Sequence, residues 1–331
     1  MPEKKLAILG AGSWGTALAI VLAPRFDEIR LWVYEKDLAE RLGETRENDI
    51  FLAGFKLPAN VRVTAELKDS AGAEMVLGVM PSRFARRVYS GAAPYFNPAM
   101  TFVSATKGLE QQTLLRMSQV LAEALPFPAK IAALSGPTFA REIARGEPAA
   151  VVIASSDEGV AAKVQAAFSG PSFRLYTNSD MIGVEIGAAL KNVIAIGAGL
   201  CQGLGLGNNT LAALITRGLA EITRLAAAMG GQPRTLAGLA GLGDLVLTCG
   251  GELSRNRRVG IELAKGKTLA QIVASTAMIA EGIETCGAAV ELGAKFGVDL
   301  PIIQQMHAVL HCRKSPREAL RDLMERSLKS E

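Results

Sequence analysis

Short apolar runs alternate with helical patterns through roughly the first 180 residues. The runs have the length and β-branched content of buried strands, and the stretches between them, such as 84–94 and 114–125, have helical periodicity. This alternation is typical of parallel sheets covered by helices. We predict strands at Leu6–Leu9, Ile29–Tyr34, Val61–Val63, Met75–Val79, Thr101–Ser104, Ile131–Leu134, Ala150–Ala154 and Phe173–Tyr176. The first half therefore indicates a doubly wound, largely parallel sheet.

The pattern changes after Asn178, where strand signals cease. Long helical periods follow, broken by glycine-rich turns such as GLGLGNN and AMGGQP. We therefore predict an α/β domain over residues 1–180 and an all-α C-terminal domain over 181–331 that contributes substrate and catalytic residues.

The segment ALKN, followed by the apolar run VIAIGAG, places Lys191 alone inside an otherwise charge-free helical pattern. A buried ammonium is costly to desolvate, and burial lowers the pKa of an ammonium toward the range in which it exchanges protons. Lys191 is therefore a candidate general acid and base. The alternative is a lysine whose stem packs in the core while its head reaches water.

A glycine pattern, G-x-G-x-x-G, is formed by Gly10, Gly12 and Gly15 between the first strand and an apolar helix. That context is the one a dinucleotide-binding turn requires. Gly10 permits the tight turn, Gly12 lets the backbone approach a pyrophosphate, and Gly15 lets the helix pack against the strand. We predict a Rossmann-type domain.

Two charged residues follow the next strand, which we predict to end at Tyr34. Glu35 suits the ribose hydroxyls of NAD, whereas Lys36 suits the 2′-phosphate of NADP. The sequence leaves the choice between the two cofactors open.

Composition excludes several functional classes. The net charge is only +4 and 5% of residues are aromatic, which argues against a nucleic-acid binder. We find no uninterrupted apolar run long enough to span a bilayer, and the first strand begins too early to leave room for a signal peptide. The cysteines are far apart, which fits reduced thiols in a cytoplasm; they are Cys201, Cys249, Cys286 and Cys312.

Both histidines, His307 and His311, stand four residues apart near the C-terminus. This spacing places them on one helix face, but no third ligand accompanies them, so we predict no metal site. A lysine is then the natural proton carrier.

Two motifs follow strands, at the edge where open α/β sheets bind ligands. SATKGLE contains Lys107, and SGPTFARE contains Gly136 and Thr138 before a short helix. Each has a structural alternative: a surface lysine in the first motif, and in the second a capped turn with Pro137 near the first helical position.

Two further motifs lie in the helical half. GLAGLGDLVLTC places Asp244 in an apolar segment, as a functional carboxylate or a helix N-cap. LSRNRRVG starts a helix with Ser254, Arg255 and Asn256 in its first turn. Arginines at a helix N-terminus oppose the macrodipole unless an anion binds there, and a solvated basic surface is the alternative.

Taken together, these motifs closely resemble those of the bacterial NAD(P)-dependent glycerol-3-phosphate dehydrogenases. The resemblance covers nearly the whole chain, since GAGSWGTALA, SATKGLE, SGPTFA, GVEIGAALKNVIAIGAG, ALITRGLAE, GLAGLGDLVLTC, SRNRRVG and AEGIET occur in the family's order. Two positions depart from the family pattern: Tyr34, where a basic residue or His is common, and Leu211, where Lys or Arg is expected.

The resemblance implies roles for individual residues. Lys191 is the proton donor and acceptor, assisted by Lys107 and Asp244. Those three residues would also contact the substrate, together with Gly136, Thr138, Ser254, Arg255 and Asn256. The cofactor would contact Gly10, Gly12, Ser13, Trp14, Gly15, Tyr34, Lys107, Ala140, Arg255, Ile279 and Glu281.

The implied reaction is the reduction of dihydroxyacetone phosphate to sn-glycerol 3-phosphate with NAD(P)H, which supplies glycerophospholipid synthesis. No nucleic acid or membrane span is implied, and a homodimer is compatible with the family. Two alternatives stay open: a β-hydroxyacid dehydrogenase with the same domain plan, which would need a carboxylate site in place of SRNRR, and a non-catalytic NAD(P)-binding sensor.

Overall fold

The sheet contains all eight predicted strands. A computed structural model describes residues 4–276 and 280–328. Its strands are β1 (Lys5–Leu9), β2 (Glu28–Trp32), β3 (Val61–Thr64), β4 (Met75–Gly78), β5 (Thr101–Ser104), β6 (Lys130–Ser135), β7 (Ala149–Ala154) and β8 (Phe173–Asn178). The spatial order is β3-β2-β1-β4-β5-β6-β7-β8. Every neighbouring pair is parallel except β6 and β7, which are antiparallel. The largely parallel, doubly wound prediction is confirmed.

Both faces of the sheet are buried. Along β1, Leu6 and Ile8 pack in one hydrophobic core and Ala7 and Leu9 in another, because alternate side chains of a strand point to opposite faces. The helices associated with the sheet are α1 (Ser13–Leu22), α2 (Lys36–Thr45), α3 (Ala85–Ala92), α4 (Met117–Ala124), α5 (Ala140–Ala144) and α6 (Glu158–Phe168). Strands buried on both faces explain why the sequence shows continuous apolar runs.

From residue 181 onward the described residues form helices and turns only, as predicted. The helices are α7 (Met181–Gly203), α8 (Asn208–Ala228), α9 (Pro233–Leu236), α10 (Asp244–Gly250), α11 (Arg255–Ala264), α12 (Leu269–Ala274), α13 (Glu281–Lys295), α14 (Pro301–His311) and α15 (Pro316–Met324). A π-helical turn, Leu239–Gly243, precedes α10.

The chain forms two compact units. One consists of Met1–Lys107 and Leu115–Glu185, and the other of Gly108–Leu114 and Ile186–Glu331. The short segment Gly108–Leu114 joins the helical unit, where Gln111 Nε2 donates a hydrogen bond to the Glu284 carbonyl at 3.0 Å. This division lies close to the domain boundary predicted at residue 180, which remains a prediction.

In the described part of the chain, one helix, α7, is long and apolar enough to cross a membrane by length and composition alone. Of its most apolar 18-residue window, 89% is buried inside the protein. Such burial is typical of a core helix.

Candidate active site

The glycine-rich turn lies where the chain passes from β1 into α1, beside the end of β4. Gly10 has φ +115°, and a Cβ there would lie 2.8 Å from the Val79 carbonyl oxygen. A Cβ at Gly15 would lie 1.9 Å from the Gly10 carbonyl oxygen. Any larger residue at either position would collide with backbone, so both glycines are required by the turn itself.

Gly12 is different, because a Cβ built there meets no protein atom within 4 Å. Gly12 is the N-cap residue of α1, and having no side chain it offers no acceptor to the first N–H groups of the helix, those of Ser13 and Trp14. Open space in front of unsatisfied N–H groups at the positive end of a helix suits a pyrophosphate. The turn therefore fits a dinucleotide.

Tyr34, Glu35 and Lys36 lie just beyond β2, which ends at Trp32 rather than at the predicted Tyr34. All three are exposed, and Glu35 occupies the N-cap position of α2. The guanidinium carbon of Arg87 lies 5.3 Å from the centre of the Tyr34 ring. Glu35 and Lys36, the two candidates for selecting the cofactor, are thus accessible to a ligand at this strand end. The Arg87 guanidinium beside the Tyr34 ring is accessible there too.

Lys107 lies three residues after β5 and is tied to a second loop. Its Nζ donates to the Gly136 carbonyl at 2.8 Å and to Thr138 Oγ1 at 3.1 Å. Gly136 has φ +138°, and a Cβ there would lie 3.0 Å from the Val151 Cα. The structure thus brings three predicted substrate residues of the sheet unit together.

The helix after this loop, α5, begins three residues after Pro137. Phe139 is the N-cap residue of α5 and Ala140 is its first residue. Pro137 therefore precedes the cap by two residues, which contradicts the alternative of a capped turn with Pro137 near the first helical position.

Lys191 is buried, with 6% of its surface exposed. Its Nζ lies 2.6 Å from Asp244 Oδ1 and 2.8 Å from Thr248 Oγ1. The alternative of a lysine whose head reaches water is therefore wrong. The ion pair and the hydrogen bond to Thr248 hold the Lys191 side chain in one orientation.

Asp244 does not cap a helix as the alternative interpretation had it, because Gly243 occupies the N-cap position of α10. The carboxylate faces Lys191 instead. Thr248, one turn later, donates its hydroxyl hydrogen to the Asp244 backbone carbonyl at 2.6 Å and so accepts from the ammonium. Sequence reasoning missed Thr248, although a hydroxyl four residues after Asp244 lies on the same helix face.

A second polar network joins three elements of the helical unit. Asn256 Nδ2 donates to Asn192 Oδ1 at 3.0 Å, and Asn256 Oδ1 accepts from the Gly282 N–H at 3.0 Å. A Cβ at Gly282 would lie 2.5 Å from the Asn192 carbonyl oxygen, so only glycine allows this approach. Asn192, the residue after Lys191, was also missed, and it orients the amide of Asn256.

The arginine-rich helix start has the predicted geometry. Ser254 is the N-cap residue of α11, and its Oγ accepts from the Arg257 N–H at 3.2 Å. Arg255 keeps access to solvent, yet the protein atoms around its guanidinium lower its pKa by desolvation, which Glu281 opposes. A partly desolvated cation at a helix N-terminus is a favourable position for an anion.

A further charge on α7, Glu185, corrects the view that Lys191 stands alone in a charge-free helix. The Glu185 carboxylate accepts from the Ser118 N–H and hydroxyl, each at 2.7 Å, and pairs with Arg116. Glu185 thus accepts hydrogen bonds at the N-terminus of α4 and connects the start of α7 to that helix.

His307 and His311 lie on one face of α14 with ring centres 5.0 Å apart. Burial lowers the pKa of His311, and His307 adds to the effect. Among the described residues, no group of three His, Cys, Asp or Glu side chains could hold a metal ion. Ile279, a predicted cofactor contact, lies outside the described residues.

Two family models of known proteins match almost the whole chain. Residues 5–161 match the family model for the NAD-dependent glycerol-3-phosphate dehydrogenase N-terminus, and residues 180–321 match the model for its C-terminus.

Individual relatives agree with this match. The chain is 56% identical to glycerol-3-phosphate dehydrogenase [NAD(P)+] of Koribacter versatilis, over 97% of each chain. It is 52% identical to the enzyme of that name from Citrifermentans bemidjiense, over 99% of each chain. The crystal structure of glycerol-3-phosphate dehydrogenase from Coxiella burnetii is similar, with a TM-score of 0.94 at 38% identity, over 98% of this chain and 99% of that one. The chain therefore belongs to the NAD-dependent glycerol-3-phosphate dehydrogenase family.

Proposed function

We propose that this protein reduces dihydroxyacetone phosphate to sn-glycerol 3-phosphate with NADH or NADPH. The observation that carries the proposal is the buried ion pair of Lys191 and Asp244, with Thr248 as its third member, in a chain of this family. A buried ammonium held by two oxygens is a proton donor with a defined direction.

The glycine-rich turn would hold the cofactor, whose nicotinamide supplies the hydride when bound. Gly12, Ser13 and Trp14 offer backbone N–H groups to the pyrophosphate. Tyr34 would lie against the adenosine end, with Glu35 and Lys36 deciding tolerance of a 2′-phosphate. The remaining cofactor contacts would come from Gly10, Gly15, Lys107, Ala140, Arg255, Ile279 and Glu281.

Lys191 would donate its proton to the oxygen on C2 of the substrate as negative charge develops there. Asp244 and Thr248 hold the Lys191 ammonium in one orientation, which would direct it toward the substrate. Lys107, which is oriented by Gly136 and Thr138, would add positive charge near the same oxygen.

The substrate phosphate would bind at the start of α11. Arg255 supplies the partly desolvated charge, and Asn256 supplies an amide held in place by Asn192 and Gly282. Ser254, Gly136 and Thr138 would complete the substrate contacts. A phosphate there removes the conflict between arginine charge and helix dipole.

The two alternatives are disfavoured. A β-hydroxyacid dehydrogenase would present a carboxylate site, whereas the start of α11 has the charge that a phosphate needs, and the relatives carry the phosphate-substrate name. A non-catalytic sensor would tolerate loss of the proton donor, whereas Lys191 is present and held in a specific cluster. We further propose a cytoplasmic enzyme that supplies glycerophospholipid synthesis; a homodimer stays a prediction.

The test is cofactor oxidation with dihydroxyacetone phosphate, run in parallel with NADH and NADPH. Unphosphorylated dihydroxyacetone and a 2-oxo acid serve as comparison substrates. We expect turnover with the phosphate ester to exceed both by orders of magnitude in kcat/KM. Equal or better turnover of the 2-oxo acid would contradict the proposal.

A further inference from the structure

A buried side chain that is not among the predicted cofactor contacts, that of Asn48, donates a hydrogen bond to the glycine-rich turn. Asn48 is completely buried, with 0% of its surface exposed. Its Nδ2 donates to the Ala11 carbonyl at 2.8 Å and to Thr16 Oγ1 at 2.8 Å. Ala11 stands between Gly10 and Gly12, so this contact reaches the middle of the turn.

The direction of the Ala11 carbonyl determines what the turn presents to a ligand. Ala11 and Gly12 share a planar trans peptide, in which the C=O and the N–H point to opposite sides. With the carbonyl drawn inward to Asn48, the N–H of Gly12 points the other way, away from the protein interior. Gly12 is also where a Cβ would meet no protein atom.

Thr16 shares this task from the first helix. Its hydroxyl donates to the Ala11 carbonyl at 3.3 Å while accepting from Asn48, so the two side chains form a closed set of hydrogen bonds around one carbonyl. Thr16 also donates its backbone N–H to the Gly12 carbonyl at 3.0 Å, as part of the helix. The carbonyls on both sides of the Gly12 N–H are therefore held.

Asn48 is itself rigidly placed. Its Oδ1 accepts from the Phe51 N–H at 3.0 Å, and its backbone carbonyl accepts from the Leu52 N–H at 3.0 Å. The segment around it closes on itself through an ion pair between Glu47 and Lys56 at 3.1 Å. We call Glu47–Lys56 the supporting loop.

The supporting loop also contacts α5, which begins at the predicted cofactor residue Ala140. Arg141 donates to the Ala53 carbonyl at 3.3 Å, and its guanidinium carbon lies 5.4 Å from the centre of the Phe55 ring. The loop thus contacts two elements of the predicted cofactor site, the glycine-rich turn and α5.

We propose that Asn48 is a positioning residue for cofactor binding: it fixes the peptide between Ala11 and Gly12 so that the Gly12 N–H faces the pyrophosphate. The inference rests on the proposed dinucleotide site. It assigns to the supporting loop a role in cofactor affinity, separate from the proton transfer at Lys191.

The test compares two asparagines of the same unit. Asn60 resembles Asn48 in donating through Nδ2 to two acceptors, the carbonyls of Ala23 and Phe26, each at 2.9 Å, but these lie at the other end of α1. Asn60→Ala is therefore a control that removes the same side chain and two hydrogen bonds from its Nδ2, away from the glycine-rich turn. The dissociation constant for NADH is measured by titration, without turnover, together with Tm.

We expect Asn48→Ala to raise the Kd for NADH about tenfold, as expected for losing the orientation of one donor. Asn60→Ala should leave the Kd unchanged, and the Tm of both variants shows how much each loses in stability. At saturating NADH the kcat of Asn48→Ala should stay within about twofold of wild type, because the chemistry at Lys191 is intact. Equal Kd values for the two variants would overturn the inference.

A milder variant covers the case in which Asn48→Ala does not fold. Thr16→Val removes only the hydroxyl that shares the Ala11 carbonyl, with little change in shape. A raised Kd for NADH in Thr16→Val supports the inference, and an unchanged Kd overturns it. Because these are binding measurements, failure of the proposed reaction would appear separately, as wild-type protein that binds NADH but does not turn over dihydroxyacetone phosphate.

Discussion

Lys191 and Asp244 form an ion pair in which 2.6 Å separates Nζ from Oδ1, and both side chains are buried. Neither charge can be satisfied by bulk water, so each depends on the other. The pair fixes the orientation of the Lys191 ammonium. Loss of either partner should therefore affect both proton transfer by Lys191 and the free energy of unfolding.

Replacing Lys191 with Ala should lower kcat by about 10² to 10⁴, the usual range for a positioned general acid. The Kd for NADH should be unchanged, because the glycine-rich turn belongs to the other unit. Steady-state kinetics and an NADH titration measure the two effects. Turnover close to that of wild type would remove Lys191 from the mechanism.

Asp244→Asn should lower the free energy of unfolding by about 3–5 kcal/mol, because it leaves a buried ammonium without its counter-charge. Adding Lys191→Met should restore part of that loss, since the unpaired charge is then gone. Denaturant unfolding of both single variants and the double variant measures this. Additive losses would show that the ion pair is not coupled.

Arg255→Ala should weaken binding of dihydroxyacetone phosphate by roughly 1.5–3 kcal/mol, the scale of a charge-assisted hydrogen bond. Residual turnover of unphosphorylated dihydroxyacetone should hardly change. Arg258→Ala, which removes an exposed arginine from the same helix, is the control.

An equal loss for both substrates would contradict the phosphate role of Arg255. The Kd for NADH is measured in the same variants, because Arg255 is also a predicted cofactor contact. A change confined to the Kd for NADH would assign Arg255 to cofactor binding and not to binding of the substrate phosphate.

Cofactor preference should respond to Glu35. A carboxylate facing the ribose repels a 2′-phosphate, so Glu35→Ser should raise kcat/KM for NADPH relative to NADH. The guanidinium of Arg87 on Tyr34 adds positive charge at the same strand end. An unchanged ratio in Glu35→Ser, together with loss of NADPH use in Lys36→Ala, would identify Lys36 as the discriminating residue.

Stability should depend on pH through Glu221, a buried carboxyl on α8. It accepts from the N–H groups of Ile302 and Ile303 at 2.7 and 3.2 Å, at the start of α14. Burial raises the pKa of Glu221 from 4.5 to about 7, although those N–H groups and Arg224 oppose the shift.

Because the folded protein then holds this proton more tightly than the unfolded chain, the free energy of unfolding should fall as pH rises from 4.5 to about 7. Glu221→Gln removes the titrating group and should flatten that decline. Denaturant unfolding at several pH values measures the slope. The same slope in wild type and variant would exclude Glu221 as its source.

The order of elements was predictable from the sequence because it depends on local patterning. Each predicted strand lies within or beside an observed one, since strands buried on both faces must be apolar throughout. The antiparallel pairing of β6 with β7 was not predictable, because the apolar pattern of a buried strand is the same whether its neighbour is parallel or antiparallel. The end of β2 was misplaced because Val33 and Tyr34 continue the apolar run beyond the last paired residue, Trp32.

For the site, residue type and spacing were enough to select Lys191, the glycines and the arginine-rich helix start, because each conflicts with an ordinary structural role. A lone ammonium in an apolar helix and arginines at a helix N-terminus both cost free energy without a partner. Only the tertiary structure decided what those partners are. Thr248 and Asn192 have ordinary local roles in sequence and take part in the site only through long-range hydrogen bonds.

Asn48 shows the same limit most clearly. Nothing in its neighbourhood along the chain relates it to Ala11, 37 residues earlier, and a polar residue between a helix and a turn is ordinary. Which backbone carbonyl a buried amide must satisfy depends on which segments the fold packs together, and the packing is a property of the whole chain. The sequence by itself determined the elements and the chemically unusual residues; the tertiary structure alone decided which polar groups meet, because buried hydrogen bonds are satisfied across the fold.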